Sequence, residues 1–250
     1  MRARPVLSTS DIESVAEQLL QRLAPSSLVE PMMTPLAEIA IAECARLSAS
    51  LRLRSPLGRT ARGQPIRGYC RIHEPYAVAI SADLDMNEAP FRFTLAHELG
   101  HLELHRDIDL RCLDGVSPSG EINDDDRALF QGRKHPERSE RYWLEWQANT
   151  FAAALLMPKA TVAVALSQQQ RKMDIRIPGR VYVDRQPDNV TNFRRTIDAL
   201  ASVFQTSKTS IRYRLRNLGL LLQADGAPSD NVSEQPASGF RHVLDYLKPR

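Results

Sequence analysis

Two histidines and a glutamate in the run His97-Glu98-Leu99-Gly100-His101 carry the clearest chemistry in this 250-residue chain. On a helix, residues four apart stack one turn above each other on the same face, so His97 and His101 can turn two imidazole nitrogens toward one ion. The spacing suits zinc. Glu98 is rotated about 100° from His97, beside the position such an ion leaves open, where a carboxylate can take a proton from water and pass it to a leaving amine. Gly100 occupies a variable position of the motif, and its small size lets a neighbouring helix or strand approach closely.

A catalytic zinc needs a third protein ligand, and His105, Asp107, Asp109, His135, Glu140 and Glu145 are the candidates. His105 lies eight residues after His97, about 12 Å further along a continuing helix, so the two cannot share one ion; it reads as a helix-end or packing histidine. Glu145 fits best. It lies in an apolar, tryptophan-containing helical run, and Asn149 follows one turn later on the same face, where its side-chain oxygen can accept the N–H of a ligand histidine's far nitrogen. His, His and Glu suit manganese as well as zinc. Tyr142 and His135 are candidates for steadying an oxyanion.

Residues 92–105 (RFTLAHELGHLELH) followed by residues 145–158 (EWQANTFAAALLMP) closely resemble the ImmA/IrrE family of metallopeptidases. The resemblance extends more weakly from residue 66 to residue 222. It implies His97, His101 and Glu145 as zinc ligands and Glu98 as catalytic base, in agreement with the reading from spacing. Gln147 stands where family members often carry a second glutamate, and the stretch 112–140 looks like an unusual insert that could cover the cleft. The resemblance also implies a protein substrate, typically a DNA-binding repressor. Two other roles fit the same residues: a regulator that binds DNA or a repressor without cutting, and a metallopeptidase-like toxin held by an adjacent antitoxin.

The elements that must position these residues follow from periodicity. Residues 10–24 have helical apolar spacing, with Ser10 and Glu13 as a capping box and Pro25 as the stop. A second helix starts near Pro35 and carries Leu36, Ile39, Ala40, Leu47 and Leu51 inward. Residues 52–64 read as a connection, and residues 69–73 and 76–81 as two paired strands. Helices follow over 91–104, 139–156 and 158–170. Most of 113–140 reads as loop, and residues 176–184 as a strand pair or extended arm.

Residues 191–205 and 207–218 read as two helices joined by a tight turn, with Gly219 past the second. They resemble a helix-turn-helix, with Leu200, Ala201, Phe204, Ile211 and Leu215 as packing set, although Gln205 stands where glycine is common. From Arg171 to Arg216 there are eleven Lys/Arg against four Asp. Lys208, Arg212, Arg214 and Arg216 could therefore contact DNA phosphates or an acidic partner, or simply form a solvated face.

The expected class is α+β: a zincin-like metallopeptidase domain with a small β-sheet and a helix-turn-helix-like C-terminal part. The expected divisions are an N-terminal helical region (1–60), the metallopeptidase core (61–175), the basic segment (176–222), and a linker with a short C-terminal helix (223–250). Apolar residues at 42% and charged residues at 25% suit a globular chain. No apolar run approaches the roughly 20 residues needed to span a bilayer, and the first residues lack a secretory apolar core. A cytoplasmic protein without membrane partners is expected. Cys44, Cys70 and Cys112, without a CxxC pair, read as reduced structural thiols.

Overall fold

The computed structural model describes residues 7–59, 63, 65–108, 121–123, 140–175 and 178–224. In chain order the elements are α1 (Thr9–Leu23), α2 (Ser26–Val29), α3 (Leu36–Arg46), β1 (Ser50–Ser55), β2 (Gly68–Arg71), β3 (Ala77–Ser81), α4 (Ala89–Leu104), β4 (Glu121–Asn123), α5 (Glu140–Leu156), α6 (Lys159–Lys172), β5 (Val181–Val183), α7 (Pro187–Phe204), α8 (Lys208–Asn217) and β6 (Leu221–Gln223). The α+β class holds. The insert's remaining residues and residues 225–250, with their expected linker and helix, lie outside the described residues.

One sheet runs in the order β1-β3-β2-β4, with β1 parallel and β2 antiparallel to β3, and β4 antiparallel to β2. The central strand β3 (Ala-Val-Ala-Ile-Ser) is buried along its whole length, as a strand covered on both faces must be. The edge strand β1 corrects the expectation of a connection over 52–64. Leu51 and Leu53 are half-buried while Arg52 and Arg54 are exposed, the period-two pattern of a strand with one face on the core. Leu51 thus belongs to a strand, and α3 ends at Arg46.

Helix α4 lies between this sheet and α5, and of residues 91–104 every one but Glu103 is buried. A helix buried all round must be surrounded by other elements, and its polar side chains need partners there. Its start is clamped: the Arg92 guanidinium donates to the Thr34 carbonyl (2.9 Å), and the Thr34 hydroxyl donates to the Leu155 carbonyl at the end of α5 (3.1 Å). Helices α5 and α6 then bend by 54° across Met157 and Pro158. Among the described residues no single helix is long and apolar enough to cross a membrane.

The N-terminal helix packs on α5 through Ile12, Ala16, Leu19 and Leu20. Its capping box is Ser8 with Asp11, two residues earlier than Ser10 and Glu13. Glu13 has another partner. Its carboxylate takes both terminal nitrogens of Arg214 on α8, at 2.9 Å from Nη2, while Arg214 Nε donates to the Met157 carbonyl at 2.8 Å. Arg22 of α1 reaches Glu43 of α3 at 2.6 Å.

The C-terminal pair forms as two helices, with Gln205 left-handed at the turn (φ 50°) and Gly219 (φ 67°) just past α8. Leu200, Phe204, Ile211 and Leu215 are buried beneath it. Val181–Val183, expected as an arm or strand pair, lies parallel to Leu221–Gln223. Arg214 is corrected as a surface contact: it is 1% exposed and locked to Glu13, so no phosphate can reach it.

Removing one member of a buried ion pair strands its partner and costs about 3–5 kcal/mol. Arg214→Met is expected to lose stability on that scale in urea denaturation, while Glu13→Met with Arg214→Met loses less than either single change. A loss in the double variant equal to the sum of the two single losses would show that the pair is not coupled.

Candidate metal centre

Two helices meet at Gly100. A Cβ there would lie 3.1 Å from a Phe151 ring carbon and 3.2 Å from both the Cα and the carbonyl oxygen of Ala148, so α4 and α5 cross at a distance that a side chain would widen. At this crossing His97 and His101 face Glu145. The Nε2 atoms of the two histidines are 3.0 Å apart, and Glu145 Oε2 and Oε1 lie 3.3 and 3.4 Å from His97 Nε2 and His101 Nε2. His97 and His101 are 2% and 0% exposed, and the Glu145 side chain keeps 13%.

These three residues fit a divalent metal. In a tetrahedral zinc site with bonds of about 2.0–2.1 Å, neighbouring donor atoms sit about 3.4 Å apart, close to the separations found. The His97 Nδ1 lies 3.0 Å from Asn149 Oδ1, which can only accept, so the ring carries its proton on Nδ1 and turns a bare Nε2 lone pair inward. Burial pushes the Glu145 carboxyl up, but the adjacent His101 and His97 outweigh it and hold the group well below its ordinary range. It therefore stays an anion.

Glu98 is 1% exposed and lies against β2. A Cβ at Gly68 would come within 2.8 Å of Glu98 Oε1 and 2.7 Å of Thr94 Cγ2, so the carboxylate occupies space that only glycine leaves open on that strand. Cys70, next along β2 on the buried face, is a fully buried thiol pushed well above its usual range by burial and then by Glu98. Cys44 is also a free buried thiol.

His105 is not in the triad, but it is more than packing. At the C-cap of α4, with 0% exposure, its Nδ1 is 2.9 Å from His101 Nδ1 and its Nε2 is 3.0 Å from Gln147 Oε1. Burial, then His101, push this imidazole down to about 3. Its place one turn after His101 could have signalled the contact. Gln147 could not have been found that way, because residues two apart on a helix do not share a face.

Of the other third-ligand candidates, Asp107 accepts the Tyr76 hydroxyl at 2.8 Å and lies outside the triad. Asp109, His135, Cys112 and the side chains of Glu140 and Tyr142 lie outside the described residues. On α8, Lys208 pairs with Asp198 at 2.8 Å, the Arg212 guanidinium carbon sits 5.5 Å from the centre of the Phe193 ring, and Arg216 donates to Gln223 at 3.2 Å.

If the triad holds the ion, Glu145→Gln replaces an anionic donor with a neutral one. Zinc titration against a chromophoric chelator is expected to show one site per chain in the wild type and at least about 10-fold weaker binding in the variant. Equal affinities would remove Glu145 from the ligand set.

No curated protein matches the chain. The family model of Peptidase M78, the IrrE N-terminal-like domain, matches residues 63–216, which takes in β2, β3, both helices of the crossing and most of α8. That match covers more than half of the 250 residues and contains every side chain of the triad, so the chain belongs to the IrrE N-terminal-like family of metallopeptidases.

Proposed function

We propose that the chain is a zinc-dependent endopeptidase that hydrolyses a protein substrate, a DNA-binding transcriptional repressor, in the cytoplasm. The observation that carries this reading is the convergence of His97, His101 and Glu145 at the α4–α5 crossing, with Glu98 on the adjoining flank of α4. A zinc ion held there would polarise the scissile carbonyl and acidify the attacking water. Manganese suits the same donors.

The chain's own groups supply the rest. Glu98 takes a proton from the water and delivers it to the leaving amine, and its burial away from bulk solvent keeps that proton from being lost between the two steps. Gly68 holds the carboxylate in place by leaving room for it. Asn149 keeps the His97 ring turned inward. The repressor as substrate rests on the family resemblance, and the free thiols of Cys44 and Cys70 are compatible with a reducing compartment.

Non-proteolytic DNA binding is the weaker reading. Arg214 is unavailable to phosphate, Lys208 already faces Asp198, and Arg212 lies over Phe193, so α8 presents much less free positive charge than its composition suggests.

Zinc-loaded protein mixed with the repressor encoded beside its gene is expected to yield two fragments by intact mass, and Glu98→Gln to yield none while binding zinc equally. Uncut repressor that is bound equally by both proteins would favour the regulator reading. Gly68→Ala, which crowds Glu98 and leaves the triad alone, is expected to lower kcat by about 10²-fold, the scale on which general-base catalysis is felt, with zinc stoichiometry unchanged. An unaltered kcat would mean that the carboxylate at this position is not the base.

A further inference from the structure

His97 and His101 are steadied from behind in different ways. His97 meets an amide oxygen directly, at Asn149. His101 meets another histidine: its Nδ1 lies 2.9 Å from His105 Nδ1, and the far nitrogen of His105 lies 3.0 Å from the amide oxygen of Gln147. Two ring nitrogens at that distance share one proton, and either ring could own it. The choice matters, because a neutral imidazole carries a single N–H. If His105 donates to His101, the His101 proton sits on Nε2 and blocks the lone pair that faces Glu145 and His97. If His101 donates to His105, Nε2 is bare.

Gln147 decides between them. An amide oxygen can only accept, so His105 must place its proton on Nε2 to meet it, which leaves His105 Nδ1 as an acceptor. His101 must then donate from Nδ1, and its Nε2 faces the triad as a lone pair. We propose that Gln147 and His105 form a positioning relay that fixes His101 in the Nδ1–H tautomer required for metal ligation. The relay does for His101 in two hydrogen bonds what Asn149 does for His97 in one. Gln147, His105 and Asn149 are 2%, 0% and 3% exposed, so bulk solvent does not compete with these bonds. An apolar pair would fill the same space without the desolvation cost of a buried imidazole and amide, which argues that these polar groups are present for orientation. Gln147 occupies the position where the resembling family often has glutamate; either side chain offers an oxygen acceptor here, and the relay requires no more than that.

This inference rests on the triad being a metal centre, and the test separates the two. Long-range nitrogen–proton NMR of the metal-free, full-length protein reads each tautomer directly, and zinc affinity is measured by chelator competition. The wild type is expected to show His101 as Nδ1–H and His105 as Nε2–H. Gln147→Met, which cannot accept well, is expected to lose the single His101 tautomer and bind zinc about 10- to 100-fold more weakly, the usual effect of losing such a support. Gln147→Glu, which keeps an acceptor, is expected to retain the tautomer and bind at least as tightly as wild type; it also serves should the Met variant not fold. His101 found without a proton on Nδ1 in the wild type would overturn the relay, as would Gln147→Met with unchanged tautomer and affinity. The expected tautomers in a wild type that binds no zinc would keep the relay and reject the metal centre.

Discussion

Everything at the site hangs on how closely α4 and α5 approach. Gly100 meets the Ala148 backbone and the Phe151 ring with no Cβ between them, and a Cβ there would stand at 3.1–3.2 Å from three atoms of α5. Pushing the helices apart by even a methyl radius would withdraw Glu145 from two histidines that it now meets at 3.3 and 3.4 Å. Metal bonds tolerate errors of only about 0.2 Å. The packing of one small residue therefore governs the chemistry of four larger ones.

That crossing is held from outside as well. Arg92, Thr34 and Leu155 tie the start of α4 to the end of α5, and α1 covers α5 with a row of fully buried apolar side chains. The Glu13–Arg214 pair then fastens α1 to α8, with the Met157 carbonyl between them at the corner where α5 gives way to α6. Residues before 63 lie outside the family match, yet they supply the helix α1 that packs on α5. Such a frame suits a site that buries imidazoles, carboxylates and amides together, because each polar group is tolerated only where its partners are held still.

The same geometry explains the division of labour along α5. Glu145 turns a carboxylate toward the two histidines, Asn149 one turn on supports His97, and Gln147 reaches His105 at the far end of α4. One helix thus meets both histidines on the inner side, and on the outer side it meets His97 directly and His101 through His105. On the adjoining flank of α4, β2 comes close enough that Gly68 must be bare to leave room for Glu98. A helix inserted between a strand and another helix can be served from two directions, which a surface helix cannot.

Local rules were enough to place the HExxH face, the helix carrying Glu145 and Asn149, the β2–β3 pair and the two C-terminal helices, since each depends on spacing within one element and on its caps and stops. Most of β1 reads as a connection in the sequence, because its arginines disguise the alternation of Leu51, Arg52, Leu53 and Arg54 as a loop. Spacing could not say that Glu13 belongs with Arg214, 201 positions later, or that a basic residue on α8 is interior. Nor could it join Gln147 to His105. A sequence repeats its own periodicities and so determines which face of each helix is apolar or ligand-bearing; which two faces meet is decided by packing among elements far apart in the chain, and only the folded structure carries those distances.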